Sequence, residues 1–272
     1  MDWDSPVDSG PIPKDGSKFD AIVVGGGPGG SSAAAFLAMK GAKVLLLEKA
    51  VYPRDKTCGD AVGGKSLKHV EQLGVKHILE ETPHFRVDGI VFGAPNGKEV
   101  RIALPEEEVE QREAGYSLPR RQFDTLLFRN ANEKVLENGG AVIQGFSVKQ
   151  VHIENNAVTG VSGTQEKNEF HFSAPLTIGA AGYTCPVAKA VTGHHDEPMI
   201  DKDHYCGAYR EYWTGVGGCE DSQGAIEIHF IDGVIPGYFW IFPVGNGVVN
   251  VGIGMVLTEM DKQKTKLRAL QE

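Results

Sequence analysis

The chain has 272 residues, and its 27 Lys and Arg against 36 Asp and Glu give a formal net charge of −9. This length suits one large domain or two small ones, and an acidic balance without a basic stripe argues against nucleic-acid binding as the main function. The hydrophobic (41%) and charged (23%) contents exclude a wholly disordered or fibrous chain, whereas the 35 glycines are nearly twice the usual share of about 7%.

Cysteine content and apolar run lengths set the expected compartment. The four cysteines are Cys58, Cys185, Cys206 and Cys219. They form no C-x-x-C pair, so we expect neither a zinc ribbon nor a disulfide scaffold and, by default, a reducing cytoplasmic setting. The most apolar stretch, residues 234–244, is shorter than the roughly 18 residues of a membrane helix. Residues 1–18 are rich in Asp, Pro and Gly and predict a disordered leader.

Ordered structure is predicted to begin after the leader with a βαβ unit. Ala21–Val24 is a short apolar run typical of a buried parallel strand. Residues 31–40 are rich in Ala and favour a helix, which Gly41 would end as a C-terminal cap. Residues 43–47 predict a second buried strand, closed by Glu48. Such a unit requires a parallel strand pair with a right-handed crossover.

The loop between the first strand and the helix carries a G-x-G-x-x-G fingerprint. Gly25 permits the tight turn, Gly27 lets a pyrophosphate approach the backbone, and Gly30 lets helix and strand pack closely. Gly29 lies in the same loop and is a further candidate cofactor-binding residue. Glu48, at the end of the second strand, is placed to accept hydrogen bonds from a ribose. The pattern predicts a dinucleotide site, the alternative being a glycine-rich turn without a ligand.

The residues that follow Glu48 indicate which dinucleotide binds. They contain the pattern E-K-x(n)-P-R-x-K-x-C-G, formed by Glu48, Lys49, Pro53, Arg54, Lys56, Cys58 and Gly59. In this segment the chain resembles the geranylgeranyl reductase family, flavoproteins of the para-hydroxybenzoate hydroxylase-like fold. The segment runs along the FAD in that family, so the resemblance implies FAD as the cofactor and contacts from Cys58, Gly59 and Ala61. The external reductant stays open between NAD(P)H and a ferredoxin-type donor.

Three further segments fit the same resemblance. Arg120 opens an R-x-x-F-D-x-x-L stretch whose Arg approaches the FAD in the family, although it also fits an ordinary cation at the start of an amphipathic helix. Alternating runs within residues 147–172 predict a β-meander, and the resemblance implies main-chain contacts from Val148 to the adenosine side. Residues 175–189 resemble the family segment G-A-D-G-A-N-S-x-V-A-R, but Ala181 replaces the usual Asp and receives no role.

An aromatic motif lies late in the chain, where residues 235–243 match the Y-x-W-x-F-P pattern typical of geranylgeranyl reductases. Alternation along a strand would put Tyr238, Trp240 and Phe242 on one face. The three rings would form a broad apolar wall with a phenol and an indole N–H as polar groups. The pattern alone favours a buried core, whereas the resemblance implies a binding wall for a long isoprenoid chain.

The resemblance implies an FAD-dependent oxidoreductase that reduces isolated double bonds of geranylgeranyl or other isoprenoid chains by hydride transfer from reduced flavin. Its substrate would be an isoprenoid lipid, quinone, pigment or diphosphate, and peripheral membrane contact follows from that class. Cys58 is the one candidate catalytic side chain, the alternative being a small half-buried thiol. His194 and His195 are adjacent and point in different directions, so no metal site is predicted.

We therefore predict an α/β fold, in which a Rossmann-like βαβ FAD-binding domain with a β-meander is interleaved with an incomplete β-rich substrate domain. The FAD-binding domain is assigned residues 19–75 and 115–200, and the substrate domain residues 76–114 and 201–272. The family's second glycine-rich segment, G-D-A-A-G, is absent, so we expect an amino-terminal portion of the family pattern. A flavin-dependent monooxygenase or halogenase of the same fold and a truncated non-catalytic chain are the alternatives.

Overall fold

The computed structural model describes residues 2–195, 199–264 and 266–271, and the chain divides into two compact units. Unit 1 comprises residues 1–54 and 121–199, and unit 2 comprises residues 55–120 and 200–272. The chain changes unit after Arg54, Arg120 and Met199, whereas the predicted domain boundaries follow residues 75, 114 and 200. Compactness assigns no function, so the division into FAD-binding and substrate domains stays a prediction.

Both units contain strands and helices. The strands are β1 (Ala21–Val24), β2 (Val44–Glu48), β3 (Ala61–Gly63), β4 (Phe85–Gly93), β5 (Glu99–Ala103), β6 (Gly115–Ser117), β7 (Ala141–Gln144), β8 (Ser147–Glu154), β9 (Ala157–Gln165), β10 (Asn168–Ser173), β11 (Leu176–Gly179), β12 (Cys206–Thr214), β13 (Gln223–His229), β14 (Gly237–Gly245) and β15 (Val248–Val256). The α-helices are α1 (Pro28–Met39), α2 (Gly64–Gln72), α3 (Lys76–Glu81), α4 (Glu106–Glu110), α5 (Arg120–Glu137), α6 (Pro186–His194), α7 (Leu257–Gln263) and α8 (Leu267–Gln271). The strands β7 to β11 and β12 to β15 follow one another without an intervening α-helix.

The core of unit 1 is a parallel sheet of four strands in the order β11-β1-β2-β7. The strands β1 and β2 are buried along their whole length, as parallel strands covered on both faces require. The predicted βαβ unit is confirmed, but α1 begins at Pro28 rather than at residue 31, because proline fits the first helical position. Gly41 follows the helix with φ +87°, the left-handed conformation that glycine adopts without steric cost.

One face of this parallel sheet packs against the antiparallel meander β8-β9-β10, which confirms the predicted meander. The ring of Phe172 is fully buried, and its centroid lies 5.9 Å from Phe146 and 6.0 Å from Phe170. These aromatic rings join Ile22 and Leu45 of the parallel sheet in one hydrophobic cluster. Burial of apolar surface by this cluster holds the meander on the sheet.

The segment predicted as a disordered leader is irregular, but it is attached to unit 1. The side chain of Arg121 donates to Asp4 at 2.7 Å, and Arg129 donates to the carbonyl of Ser5 at 2.7 Å. Lys18 forms a parallel bridge with Ser173. Arginines on α5 thus bind a segment whose composition alone indicated no partner, and the disorder of residues 1–18 stays a prediction.

Unit 2 is built on a large mixed sheet in the order β12-β15-β14-β13-β4-β6-β3, with β5 paired to the edge of β4. Its antiparallel pairs include β14 with β15 and β12 with β15, while β13 and β4 run parallel. In the described part of the chain, no helix combines the length and the apolar composition needed to span a bilayer.

The aromatic cluster under the meander generates a stability prediction. Phe172→Ala should lower the free energy of unfolding by about 3–5 kcal/mol, because it removes a fully buried ring and leaves a cavity. Chemical denaturation followed by circular dichroism measures the change. Phe230→Ala is the matched control, since that ring is 40% exposed, and should cost less than about 1 kcal/mol. Equal losses in the two variants would contradict the assigned core.

Candidate functional site

The glycine loop of unit 1 brings β1 and α1 so close together that two of its positions exclude any side chain. A Cβ on Gly30 would lie 1.7 Å from the carbonyl oxygen of Gly25, and a Cβ on Gly25 would lie 2.5 Å from the carbonyl oxygen of Ala180. A Cβ on Gly29, in contrast, would meet no atom within 4 Å. The close approach aims the first-turn N–H groups of α1 at the loop, which is the geometry that binds a pyrophosphate.

The peptide group of Gly26 is hydrogen-bonded on both sides. Its N–H donates to the carboxylate of Glu48, and its carbonyl accepts the hydroxyls of Ser31 and Tyr52, each at 2.7 Å. The other carboxylate oxygen of Glu48 accepts the N–H of Ala50 at 2.8 Å. Glu48 thus fixes the loop, a role that the sequence analysis did not foresee. A carboxylate has about four acceptor positions, so these two bonds leave capacity for the predicted ribose contact.

A guanidinium group lies beside the middle glycine of the fingerprint. A Cβ on Gly27 would lie 3.5 Å from Nη2 of Arg54. Arg54 donates to the buried carboxylate of Asp124 at 2.6 Å and lies 4.9 Å from the ring centroid of Tyr52. That ring is 1% exposed and stacks on Phe128 at 4.1 Å. Arg54 belongs to the segment that resembles the family, but no separate site role was predicted for it from the sequence.

Two other residues discussed from the sequence also belong to unit 1. Val148 lies in β8 opposite Gly163 and packs partly against the hydrophobic core. Ala181 lies at the loop, since its Cα would be 2.6 Å from a Cβ on Gly25. The contact of Val148 with an adenosine stays a prediction, and the neighbourhood of Ala181 shows that the segment after β11 closes the back of the glycine loop.

In unit 2, the predicted flavin-side segment lies directly against the aromatic motif. A Cβ on Gly59 would lie 2.8 Å from Cε2 of Phe242. The carbonyl of Cys58 accepts the side-chain amide of Asn250 at 2.7 Å, and the same amide accepts the indole N–H of Trp240 at 2.8 Å. The structure therefore brings these four predicted site residues together around an asparagine that the sequence analysis did not single out.

The aromatic motif lies on one face of β14, as strand alternation predicts. The ring centroid of Trp240 is 5.9 Å from that of Tyr238 and 6.4 Å from that of Phe242. Trp240 and Phe242 are 5% and 8% exposed, whereas Tyr238 is 42% exposed. A Cβ on Gly252 would lie 2.1 Å from Cζ2 of Trp240, so the indole lies flat on bare backbone of β15. Their contact with a substrate stays a prediction.

A buried carboxyl group completes this region of unit 2. Asp60 has φ +70°, accepts the hydroxyl of Tyr212 at 2.6 Å and accepts the backbone N–H of Arg120 at 3.3 Å. Burial raises the pKa of Asp60 above its ordinary value, although the hydrogen bond from Tyr212 opposes this shift. Ala61, next in the chain, is exposed and pairs with Ser117. Arg120 thus supports Asp60 through its backbone at the first position of α5.

The histidine pair forms no recognisable metal centre in the described ranges. The ring of His194 bonds to the side-chain oxygen of Asn156 at 2.7 Å, and its plane is nearly perpendicular to that of His195. No group of three or more metal-binding side chains occurs among the described residues. The two acids that follow, Asp196 and Glu197, lie outside those residues.

The glycine loop yields a substitution that a second glycine of unit 1 controls. Gly30→Ala should weaken the binding of FAD at least tenfold and destabilise unit 1, because its Cβ would overlap the Gly25 carbonyl. Gly193→Ala, outside the loop in α6, should leave both properties within about twofold, since its Cβ would meet no neighbour. Flavin fluorescence titration and thermal melting measure the two effects. The same affinity in both variants would show that close helix packing does not control the site.

The raised pKa of Asp60 predicts a pH dependence. The folded state favours the neutral carboxyl, so its stabilising contribution is present below the ordinary value of 3.8 and is lost as pH rises through the raised folded-state pKa. Asp60→Asn cannot ionise, and its melting temperature relative to the wild type should therefore increase between about pH 4 and pH 8. The exposed Asp221→Asn controls for the loss of one charge. A difference that is constant or declines with pH would contradict the prediction.

Curated relatives include two named reductases. The menaquinone reductase of Mycobacterium tuberculosis strain H37Rv is 31% identical over 258 residues, which cover 92% of this chain and 58% of that protein. The digeranylgeranylglycerophospholipid reductase of Methanosarcina mazei is 30% identical over 251 residues, which cover 92% of this chain and 57% of that protein. The chain therefore spans somewhat more than half the length of these relatives.

Solved structures share the fold. A geranylgeranyl bacteriochlorophyll reductase-like protein from Thermoplasma acidophilum aligns with a TM-score of 0.74 at 24% identity, covering 94% of this chain and 60% of that chain. The myxobacterial chondrochloren halogenase, an FAD-dependent halogenase, aligns with a TM-score of 0.76 at 24% identity, covering 93% of this chain and 56% of that chain. These similarities confirm the predicted α/β FAD-binding fold and, at such identities, concern the fold alone.

Two family models match successive parts of the chain. The FAD binding domain matches residues 18–202, and the geranylgeranyl reductase catalytic domain matches residues 205–272. The first match covers more than half of the chain and agrees with the glycine fingerprint, which confirms FAD as the cofactor. The chain therefore belongs to the FAD-binding domain family.

Proposed function

We propose that this protein is an FAD-dependent reductase that saturates isolated double bonds of isoprenoid chains. The observation that carries the proposal lies within unit 2, where Gly59 contacts the ring of Phe242 and Asn250 links the carbonyl of Cys58 to the indole of Trp240. The family resemblance assigns the first to the flavin and the second to the isoprenoid. The names of the relatives, a menaquinone reductase and a digeranylgeranylglycerophospholipid reductase, support an isoprenoid-bearing quinone or lipid as the substrate class.

The residues of unit 1 fit an FAD. The half-buried backbone of Gly27 and the N-terminus of α1 would receive the pyrophosphate, and the guanidinium of Arg54 beside them would offset its charge. Glu48, already fixed on Gly26, would accept hydrogen bonds from the ribose. Reduced flavin supplies a hydride to the substrate. The protein's part is to hold an uncharged alkene in place and to exclude water from the reacting carbons.

The sheet face of unit 2 suits a long apolar chain. In the register of the sheet, Trp240 lies beside Ile228, Ile228 beside Phe92, and Phe92 beside Val100. Four strands at a spacing of about 4.8 Å give an apolar row of roughly 14 Å. Tyr238, on the same face as Trp240, presents a half-exposed ring with a hydroxyl group. An isoprenoid chain offers no charge for recognition, so contact area with such a row would provide the affinity.

The predicted compartment and the apolar substrate class together indicate where the protein meets its substrate. The cysteine pattern predicts a cytoplasmic setting, and an isoprenoid lipid partitions into bilayers because its long chain is apolar. We therefore propose a cytoplasmic protein that meets its substrate at the surface of a membrane.

The test is turnover without oxygen. The chain is loaded with FAD, reduced by dithionite and mixed with a geranylgeranyl lipid or menaquinone, and the product is weighed by mass spectrometry. We expect a gain of about 2 Da for each saturated bond, because one hydride and one proton add across it. Gly193→Ala should retain turnover, and Gly30→Ala should lose it with its flavin.

Other outcomes identify the alternatives. No mass gain with flavin bound and reduced would refute the reductase proposal for this chain. Substrate-dependent oxygen uptake with a hydroxylated or halogenated product would instead indicate a monooxygenase or halogenase. Failure of the purified wild-type chain to retain or bind FAD would support the non-catalytic alternative.

A further inference from the structure

A single polar residue interrupts the most apolar strand of unit 2. Asn250 lies in β15, whose sequence is VVNVGIGMV, and it is fully buried. A buried amide without partners would cost roughly 1–3 kcal/mol, so its place in this strand requires an explanation. Two of its partners, described above, belong to the predicted flavin-side segment and to the predicted substrate wall, and its side chain also hydrogen-bonds to the buried carboxyl of Asp60.

The chemistry of those partners fixes the orientation of the amide. The indole of Trp240 can only donate a hydrogen bond, so the atom of Asn250 that faces it at 2.8 Å is Oδ1. The carbonyl of Cys58 can only accept, so the atom that faces it at 2.7 Å is Nδ2. Asparagine is the side chain of this size that offers an acceptor and a donor at once. An ionised aspartate would supply only acceptors, and leucine would supply neither an acceptor nor a donor.

Packing around the amide leaves little freedom for either partner. Gly59 lies against the ring of Phe242, and Gly252 lies under the indole of Trp240, with no space for a Cβ at either glycine. Asp60, which also bonds to the side chain of Asn250, holds the segment through Tyr212. The hydrogen bonds of Asn250 to Cys58 and Trp240 therefore select one spacing between two surfaces that already touch.

We propose that Asn250 is a positioning residue, which holds the Cys58 segment and the Trp240 indole at a fixed spacing and so aligns the flavin side of the site with the alkene side. This inference rests on the proposed function. It concerns the alignment of the reacting groups rather than the affinity for either ligand. Misplacement by about 1 Å can lower a rate by two orders of magnitude without changing the binding groups.

Three substitutions separate the two hydrogen bonds. Asn250→Leu removes both and keeps the number and branching of the side-chain heavy atoms. Asn250→Asp, measured at alkaline pH where the new carboxylate is ionised, keeps the acceptor for Trp240 and removes the donor to Cys58, whereas Trp240→Phe removes the indole N–H and leaves the Cys58 bond. Asn168→Asp is the matched control, because Asn168 is exposed at the start of β10. Thermal melting establishes that each variant is folded. If Asn250→Leu does not fold, Asn250→Asp and Trp240→Phe still test the two hydrogen bonds separately.

The first measurement does not depend on turnover. The rate of Cys58 alkylation by iodoacetamide, followed by peptide mass spectrometry, reports how firmly the segment is held. We expect an increase of about tenfold in Asn250→Asp and Asn250→Leu, because one buried hydrogen bond is worth roughly that factor. The rate should change less than threefold in Trp240→Phe and in the control.

The second measurement compares the effects of the substitutions on kcat and on KM in alkene reduction. For Asn250→Asp and Asn250→Leu we expect kcat to fall at least tenfold, while KM and the Kd of FAD change less than threefold. Unchanged alkylation of Cys58 in both variants, or an unchanged kcat, would overturn the proposal, as would a loss confined to KM. If the wild type reduces no alkene, the proposed function fails, and the alkylation rates alone then decide whether Asn250 holds the segment.

Discussion

The packing of Gly30 on the carbonyl of Gly25 is the contact on which the cofactor end of unit 1 depends. No side chain fits between them, so α1 meets β1 at the distance of bare backbone. The loop that this contact creates is then secured at Gly26, whose peptide binds Glu48 on one side and Ser31 and Tyr52 on the other. The loop is therefore fixed before any ligand enters, which reduces the entropy that binding must cost.

Unit 2 uses the same device for a different purpose. Gly59 and Gly252 provide bare backbone against the rings of Phe242 and Trp240. Missing side chains let aromatic surfaces lie flat, and the buried amide of Asn250 then supplies the polar contacts that apolar packing cannot. The surplus of glycine in the composition is explained in part by these close approaches, together with turns at positive φ. In both units, a glycine determines how closely a helix or an aromatic ring approaches the backbone.

Sequence patterns predicted the features that depend on neighbours along the chain. The apolar runs of β1 and β2, the glycine fingerprint, the meander and the shared face of Tyr238, Trp240 and Phe242 follow from local periodicity and turn chemistry. The roles of Arg54 and Asp60 were missed because their partners are distant in the sequence. Arg54 meets Asp124 70 positions later, and Asp60 meets Tyr212 152 positions later. For Asn250, the position of a polar residue within an apolar strand is the local sequence signal of a buried hydrogen-bonding role.

The sequence alone determined the family, the α/β fold and FAD as the cofactor, because each rests on a motif whose residues are close together in the chain and whose physical role is local. The tertiary structure decided which side chains hold those motifs in place. It showed that Glu48 fixes the glycine loop, and it joined Cys58 to Asn250 across 192 positions. Such pairings depend on how the strands pair and pack. A buried polar group without a partner is costly, so each one must bond to a residue that the fold places beside it.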